Sequence, residues 1–121
     1  MKLNPYFKSI SEQDTASVVI CDLSHKILYM NPAAIAHYHG KDLSGMDLLA
    51  CHNDESQEKI RTVVRWFSTA PNHNIVHTFF NEKQNKDGYM VALRDEDGTL
   101  IGYYEKHEYR TRDDSPFYDL P

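Results

Sequence analysis

Seven histidines and two cysteines are the side chains of this 121-residue chain best suited to hold a metal or cofactor. Their spacing limits that chemistry. Cys51 and His52 form an adjacent pair just ahead of a long apolar-periodic stretch, but such a pair lacks the ligand spacing of a structural zinc site. A reactive Cys51 thiolate would also need an electropositive neighbour, so a packed cysteine and a helix-lead histidine is the bland alternative. His37 and His39 flank Tyr38 at the end of a short helical stretch, where a cation at the helix C-terminus is electrostatically favoured. His73 and His77 are four residues apart, yet Pro71 precedes them and a strand begins between them, which removes helical i,i+4 metal geometry. His25 reads as solvated in a turn, and His107 as a solvated strand end among Glu105, Lys106 and Glu108. No metal site is expected.

Catalytic signatures are missing as well. The chain has no Gly-x-Ser-x-Gly elbow, no phosphate-cradling glycine loop and no His-Glu-x-x-His helix, so it is not read as an enzyme. Asp95-Glu96-Asp97 carries enough charge for a cation, but Gly98 directly after it makes a hairpin turn the better reading.

Thirteen basic against eighteen acidic residues give a formal charge of -5 with no basic block, which argues against nucleic acid as a partner. Two isolated cysteines do not make a disulfide framework and suit a reducing cytoplasm. The N-terminus, with Lys2 and Lys8, has no apolar core of signal-peptide length, and no window approaches a membrane span, so a cytoplasmic protein without membrane attachment is expected. The length suits one domain able to bury about two-thirds of its unfolded surface.

The elements that position these groups follow from pattern. Val18 to Cys21 and Ile27 to Met30 are apolar strand-like runs around the polar segment 22–25, an antiparallel hairpin. Asn31-Pro32 then stops the second strand and caps a helix over Ala33 to Tyr38, with Gly40 as its left-handed stop. Asp42 to Leu49 suits a helical turn or two. The strongest helix runs from Glu55 to Ser68, where Ile60, Val63, Val64 and Phe67 share one face; Asn53 or Asp54 caps it, with Gln57 in capping-box register to Asp54. From Asn74 the period becomes two, predicting strands Ile75 to Glu82, Tyr89 to Arg94 and Leu100 to Tyr109, joined by turns at 85–88 and 95–98 with glycine at positive φ in each. His77 and Phe79 are expected on one strand face, with Val76, Thr78 and Phe80 on the other. The class is α+β, with a lead-in segment or helix over 1–16, a domain over 17–109 and a tail over 110–121 whose Phe117, Tyr118 and Leu120 either dock or fray.

A strand ending in Asp22-Leu23-Ser24, a return strand ending in Tyr29-Met30-Asn31 and Pro32-Ala33-Ala34 at a helix start resemble the opening of a PAS domain. Arg94 to Gly102 resembles its last hairpin, and 42–52 resembles a bacterial subgroup with a Cys-His pair before the long helix. The resemblance implies a five-stranded antiparallel sheet with short helices and one longer helix on one face, enclosing a pocket. It implies a sensory or interaction module that binds a small apolar or planar ligand, acts as a homodimer and passes its signal to a separate partner protein. The alternatives are a ligand-free dimerisation adaptor, favoured if Met46, Leu49, Val64 and Phe67 fill the pocket, and a haem or redox sensor using His52 or Cys51. The long helix carries no histidine of the kind haem-binding PAS domains present, which weakens haem; the Asn-Cys-Arg motif of the light-sensing subgroup is absent, which counts against a photoactive flavin. The pocket so implied would draw on Tyr29, His37, Tyr38, Met46, Leu49, Cys51, His52, Val64, Phe67, His77, Phe79 and Tyr89, with His52 as the haem ligand if there is one.

Overall fold

A buried asparagine organises the first third of the chain. In the computed structural model, which describes Asn4–Pro121, helix α1 (Asn4–Gln13) leads into strands β1 (Ser17–Asp22) and β2 (Ile27–Met30), and helix α2 (Pro32–His37) follows directly. Residues 1–3, which include Lys2 of the sequence reading and the start of the lead-in segment, lie outside the described residues. Asn31, fully buried, accepts from the N–H of Ala34 (2.9 Å) as the α2 cap and from the N–H of Val18 (2.9 Å). Its amide also donates to the carbonyls of Ser11 (3.0 Å) and Ala16 (2.8 Å). One amide therefore holds the end of α1, the start of β1 and the start of α2 together, and leaves no buried polar atom of its own unpaid by a partner.

A 3-10 helix (Leu48–Cys51) precedes helix α3 (Asp54–Thr69), and strands β3 (Ile75–Asn81), β4 (Lys86–Arg94) and β5 (Leu100–Tyr109) complete an antiparallel sheet of order β2-β1-β5-β4-β3. Asn53 caps α3 by accepting from the Ser56 N–H at 2.8 Å. Gln57 is not in a capping box: its side-chain amide reaches back to the carbonyls of Leu49 (2.8 Å) and His52 (3.0 Å), fixing the 3-10 helix against α3. At the other end Arg94 donates to the carbonyl of Phe67 (2.7 Å), left without an intrahelical partner in the last turn of α3, and to those of Ala70 (3.1 Å) and His73 (3.2 Å) just beyond it. The planar guanidinium thus ties the C-terminal end of α3 to the end of β4.

Helix α2, the 3-10 helix and α3 pack on one face. Ala34, Leu48, Leu49, Ile60 and Phe67 meet Val19, Cys21, Ile27, Met30, Met90 and Tyr103 in a single core. Paired residues in a sheet share a face, so the pairings Val19 with Glu105, Met90 with Glu105 and Cys21 with Tyr103 define the inner side.

Two local expectations are corrected. A bulge between His77 and Phe79 gives β3 an extra residue, so His77 pairs with Tyr89 on the outer face while Phe79 pairs with Gly88 on the inner one; strict alternation had placed them together. The β3–β4 turn lies earlier than expected, with Asn85 at φ 48, so the glycine of 85–88 is not at a turn. Gly88 is inside β4 because the Phe79 ring occupies the space a Cβ would take. At the second hairpin Gly98 does take positive φ (82). The lead-in forms α1, with none of its residues buried, and Phe117, Tyr118 and Leu120 remain 84% exposed or more, undocked on their own sheet.

Candidate functional site

Between α3 and the inner face of β3, β4 and β5 lies a cavity of about 880 Å³, within the range of small-molecule sites. Each wall has a sequence origin. The period-two pattern of β5 aims Tyr103, Glu105 and His107 inward; Tyr103 is buried in the core, and Glu105 and His107 form the cavity floor with Met90, Val76 and Phe79. The helical period of α3 aims Ile60 and Val63 at the floor as a roof, and its outer residues Glu55, Glu58 and Lys59 stand at the rim. His37 and Tyr38 at the end of α2, and His52 ahead of α3, close one end.

The floor and that end wall share an aromatic chain. His107 makes edge-to-face contacts with His37 (centroids 5.3 Å apart, 88° between planes) and Phe79 (5.1 Å, 80°), and His37 makes another with Tyr38 (5.2 Å, 90°). Burial, with the charge of Lys86 behind it and then His37, drives the His107 imidazole down to about 4. His37 is lowered by burial, Lys86 and His39, and His52 by burial. These rings are therefore neutral near neutral pH. The Nδ1 of His107 and the Nε2 of His52 are buried without a hydrogen-bond partner.

Glu105 is the unusual group of the floor. The residue keeps some open surface because it faces the cavity, but protein encloses its carboxyl otherwise, and that desolvation lifts it to about 7. Its negative charge in turn helps to raise Tyr38, Cys21 and Tyr103, although burial is the main cause for each; Cys21 is pushed up to about 12. A thiol so buried stays protonated and unreactive.

The structure brings six of the twelve expected pocket residues to the cavity: His37, Tyr38, His52, Phe79 and, at its border, His77 and Tyr89. It places the others elsewhere. Leu49 and Phe67 are in the core and Val64 packs against it. Met46 is 51% exposed on the surface, Cys51 is exposed on the 3-10 helix, and Tyr29 pairs with Ile20 on the outer face of the sheet. His107 is not a solvated strand end: period two on β5 turns it inward between His37 and Phe79. His25 is not simply solvated either, since its Nδ1 lies 2.8 Å from the Tyr103 hydroxyl. Glu105, His107, Met90, Ile60 and Val63 were missed. The alternation of Tyr103, Glu105 and His107 with Tyr104, Lys106 and Glu108 was the available signal, but both sets carry charge and aromatics, so it did not mark the inner face.

No family model matches the sequence, and no curated protein does. Solved structures match through the fold. The PAS domain of a protein from Colwellia psychrerythraea superposes with a TM-score of 0.67 at 13% identity, covering 89% of this chain and 97% of that one. The PAS domain of BvgS from Bordetella pertussis gives 0.61 at 9% identity, over 89% and 86% of the two chains. The Aer2 receptor from Vibrio cholerae, described as a dual PAS-haem oxygen sensor, gives 0.56 at 18% identity, over 79% and 95%. This chain has the PAS fold: a five-stranded antiparallel sheet with α2, the 3-10 helix and α3 packed on one face. Among the described residues no helix is long and apolar enough to cross a membrane.

Proposed function

We propose that this chain is a sensory or signalling module that binds a small ligand in the cavity between α3 and the sheet. The observation that carries the reading is the cavity itself, about 880 Å³ with an apolar roof and inward-facing Glu105 and His107. Met46, Leu49, Val64 and Phe67, the residues whose packing would favour a ligand-free adaptor, do not line it. The sensory role of structurally similar PAS domains supports the same reading. Binding acts through differential affinity: a ligand touching both α3 and β5 favours the arrangement in which they are clamped, and that preference is the signal. The module is read as cytoplasmic and non-catalytic, without nucleic-acid or membrane partners, passing its state to a separate protein. A second copy is the proposed cover for the exposed apolar side chains of α1, Tyr6, Phe7 and Ile10, each at least 60% exposed.

A haem reading has one observation in its favour, the unpartnered buried Nε2 of His52 at the cavity end. Native mass spectrometry of freshly purified protein, beside its visible spectrum, tests both. A homodimer carrying a colourless bound mass is expected. A Soret band that His52→Ala removes would replace that ligand with haem, and a protein that is empty as purified and takes up no small molecule would favour the adaptor.

A further inference from the structure

The cavity holds a negative group with nothing to neutralise it. Glu105 sits in the middle of β5, and its neighbours across both strands, Val19 and Met90, are apolar. Among the described residues no hydrogen bond or ion pair reaches its carboxyl; burial alone accounts for its behaviour. Lys86 lies on the same sheet face but further along β4, where its Nζ stands 5.8 Å from the Tyr109 ring and its charge acts on His37 and His107. The rim charges of α3 are engaged with one another, Lys59 with Glu55 at 3.3 Å and Arg65 with Glu58 at 2.9 Å. The imidazoles around the floor are neutral and supply no counter-charge.

We propose that the ligand of this cavity is a small organic cation, a protonated amine on a flat apolar body, whose ammonium group meets Glu105 while its body lies between Val63 of α3 and Phe79. The proposal deepens the ligand-binding reading and rests on it. A carboxylate enclosed by protein gains most from a partner that brings both charge and N–H donors, because an ion pair away from water is stronger than one in it. His107, two residues along the same face of β5, is held neutral by its burial and sets no repelling charge beside the ammonium group. The apolar roof and the ring of Phe79 suit a planar body, and the chain's formal charge of -5 favours the approach of cations. An anionic ligand would bring a second negative charge to the same enclosed site.

Three probes with a common indole body separate charge from shape: tryptamine, tryptophol and indole-3-propionate. Each is titrated into the full chain by calorimetry, with amide NMR shifts to locate binding. Tryptamine is expected to bind at least about tenfold more tightly than tryptophol near neutral pH, with indole-3-propionate weakest, and with shifts at Glu105, His107 and Val63. Its affinity rises as Glu105 ionises; the groups that feel this carboxyl, Cys21 of β1, Tyr38 beyond α2 and Tyr103 of β5, stay neutral over that range. Glu105→Gln is expected to remove the preference for tryptamine and keep the affinity for tryptophol. Equal or better binding of tryptophol or indole-3-propionate in the cavity overturns the cation and leaves the ligand reading standing. Binding of tryptamine outside the cavity, or a preference that survives in Glu105→Gln, also overturns it. If none of the three binds at millimolar concentration the proposal fails, and the mass found on the purified protein decides separately whether the cavity holds a ligand.

Discussion

Replacing Glu105 with glutamine is expected to stabilise the ligand-free protein, and to do so in a pH-dependent way. In the unfolded chain the carboxyl titrates near 4.5, whereas burial in the cavity floor lifts it to about 7. Between those values the folded chain holds a proton that the unfolded chain has lost, so this group's contribution falls as pH rises from 4.5 and is fully lost once the folded carboxyl has ionised. At 1.36 kcal/mol per unit the gap sets an upper limit of roughly 3 kcal/mol. Because the carboxyl faces a cavity that admits solvent, about 1–2 kcal/mol is the expected gain at about pH 8. Glutamine keeps the volume and cannot ionise. His107 and the other lowered histidines pull the opposite way, since the unfolded chain takes up protons before the folded one as pH falls through their range, but both proteins share that slope and it cancels in the difference. Urea unfolding of the two proteins across this range reads the difference directly. It should be near zero at about pH 4 and widen steadily towards about pH 8. A difference that does not change with pH, or a glutamine variant that is the less stable of the two at the alkaline end, would refute the placement of an uncompensated carboxyl in the floor.

Three further substitutions test the frame that builds the cavity. Asn31→Ala removes the acceptor for Val18 and Ala34 and the donor to Ser11 and Ala16, so a loss of about 2–4 kcal/mol in urea unfolding is expected, larger than an ordinary helix cap. Gly88→Ala places a methyl where the Phe79 ring lies and is expected to cost about 1–3 kcal/mol; in the Phe79→Ala background most of that cost should vanish, which a double-mutant cycle measures. Arg94→Lys should lose about 1–3 kcal/mol despite keeping the charge, because an ammonium cannot span the carbonyls of Phe67, Ala70 and His73 while also holding Asn74, and faster amide exchange in the last turn of α3 is the readout.

What the sequence disclosed and what it concealed divide by the range of the interaction. The hairpin, the Asn31-Pro32 helix start and the α3 stripe of Ile60 and Phe67 depend on neighbours a few residues away, and local pattern carries them. Recognising Asn31 as a cap did not reveal that the same amide reaches Ser11 and Ala16, since those contacts need the folded chain. The extra residue in β3 reverses the faces of everything after it, so one bulge separates His77 from Phe79, and no residue type between them announces it. Arg94 sits in a strand pattern without any mark that it closes a helix more than twenty residues earlier. The cavity residues show the same division. His37, Tyr38 and His52 were found because they lie at helix ends near the implied pocket, whereas Glu105 and His107 looked like the solvated end of a strand. A glutamate between aromatic neighbours becomes informative only when the sheet order puts β5 at its centre, between β1 and β4.

The most direct test of the cavity as the ligand site compares the wild-type protein with Val63→Trp by native mass spectrometry after identical purification. Val63 lines the roof and its inner edge packs against the core, and an indole there fills the space between α3 and Phe79. The account predicts a bound small mass on the wild type and none on the variant, at the same subunit number. The same mass retained on Val63→Trp, or no bound mass on either protein, would contradict it.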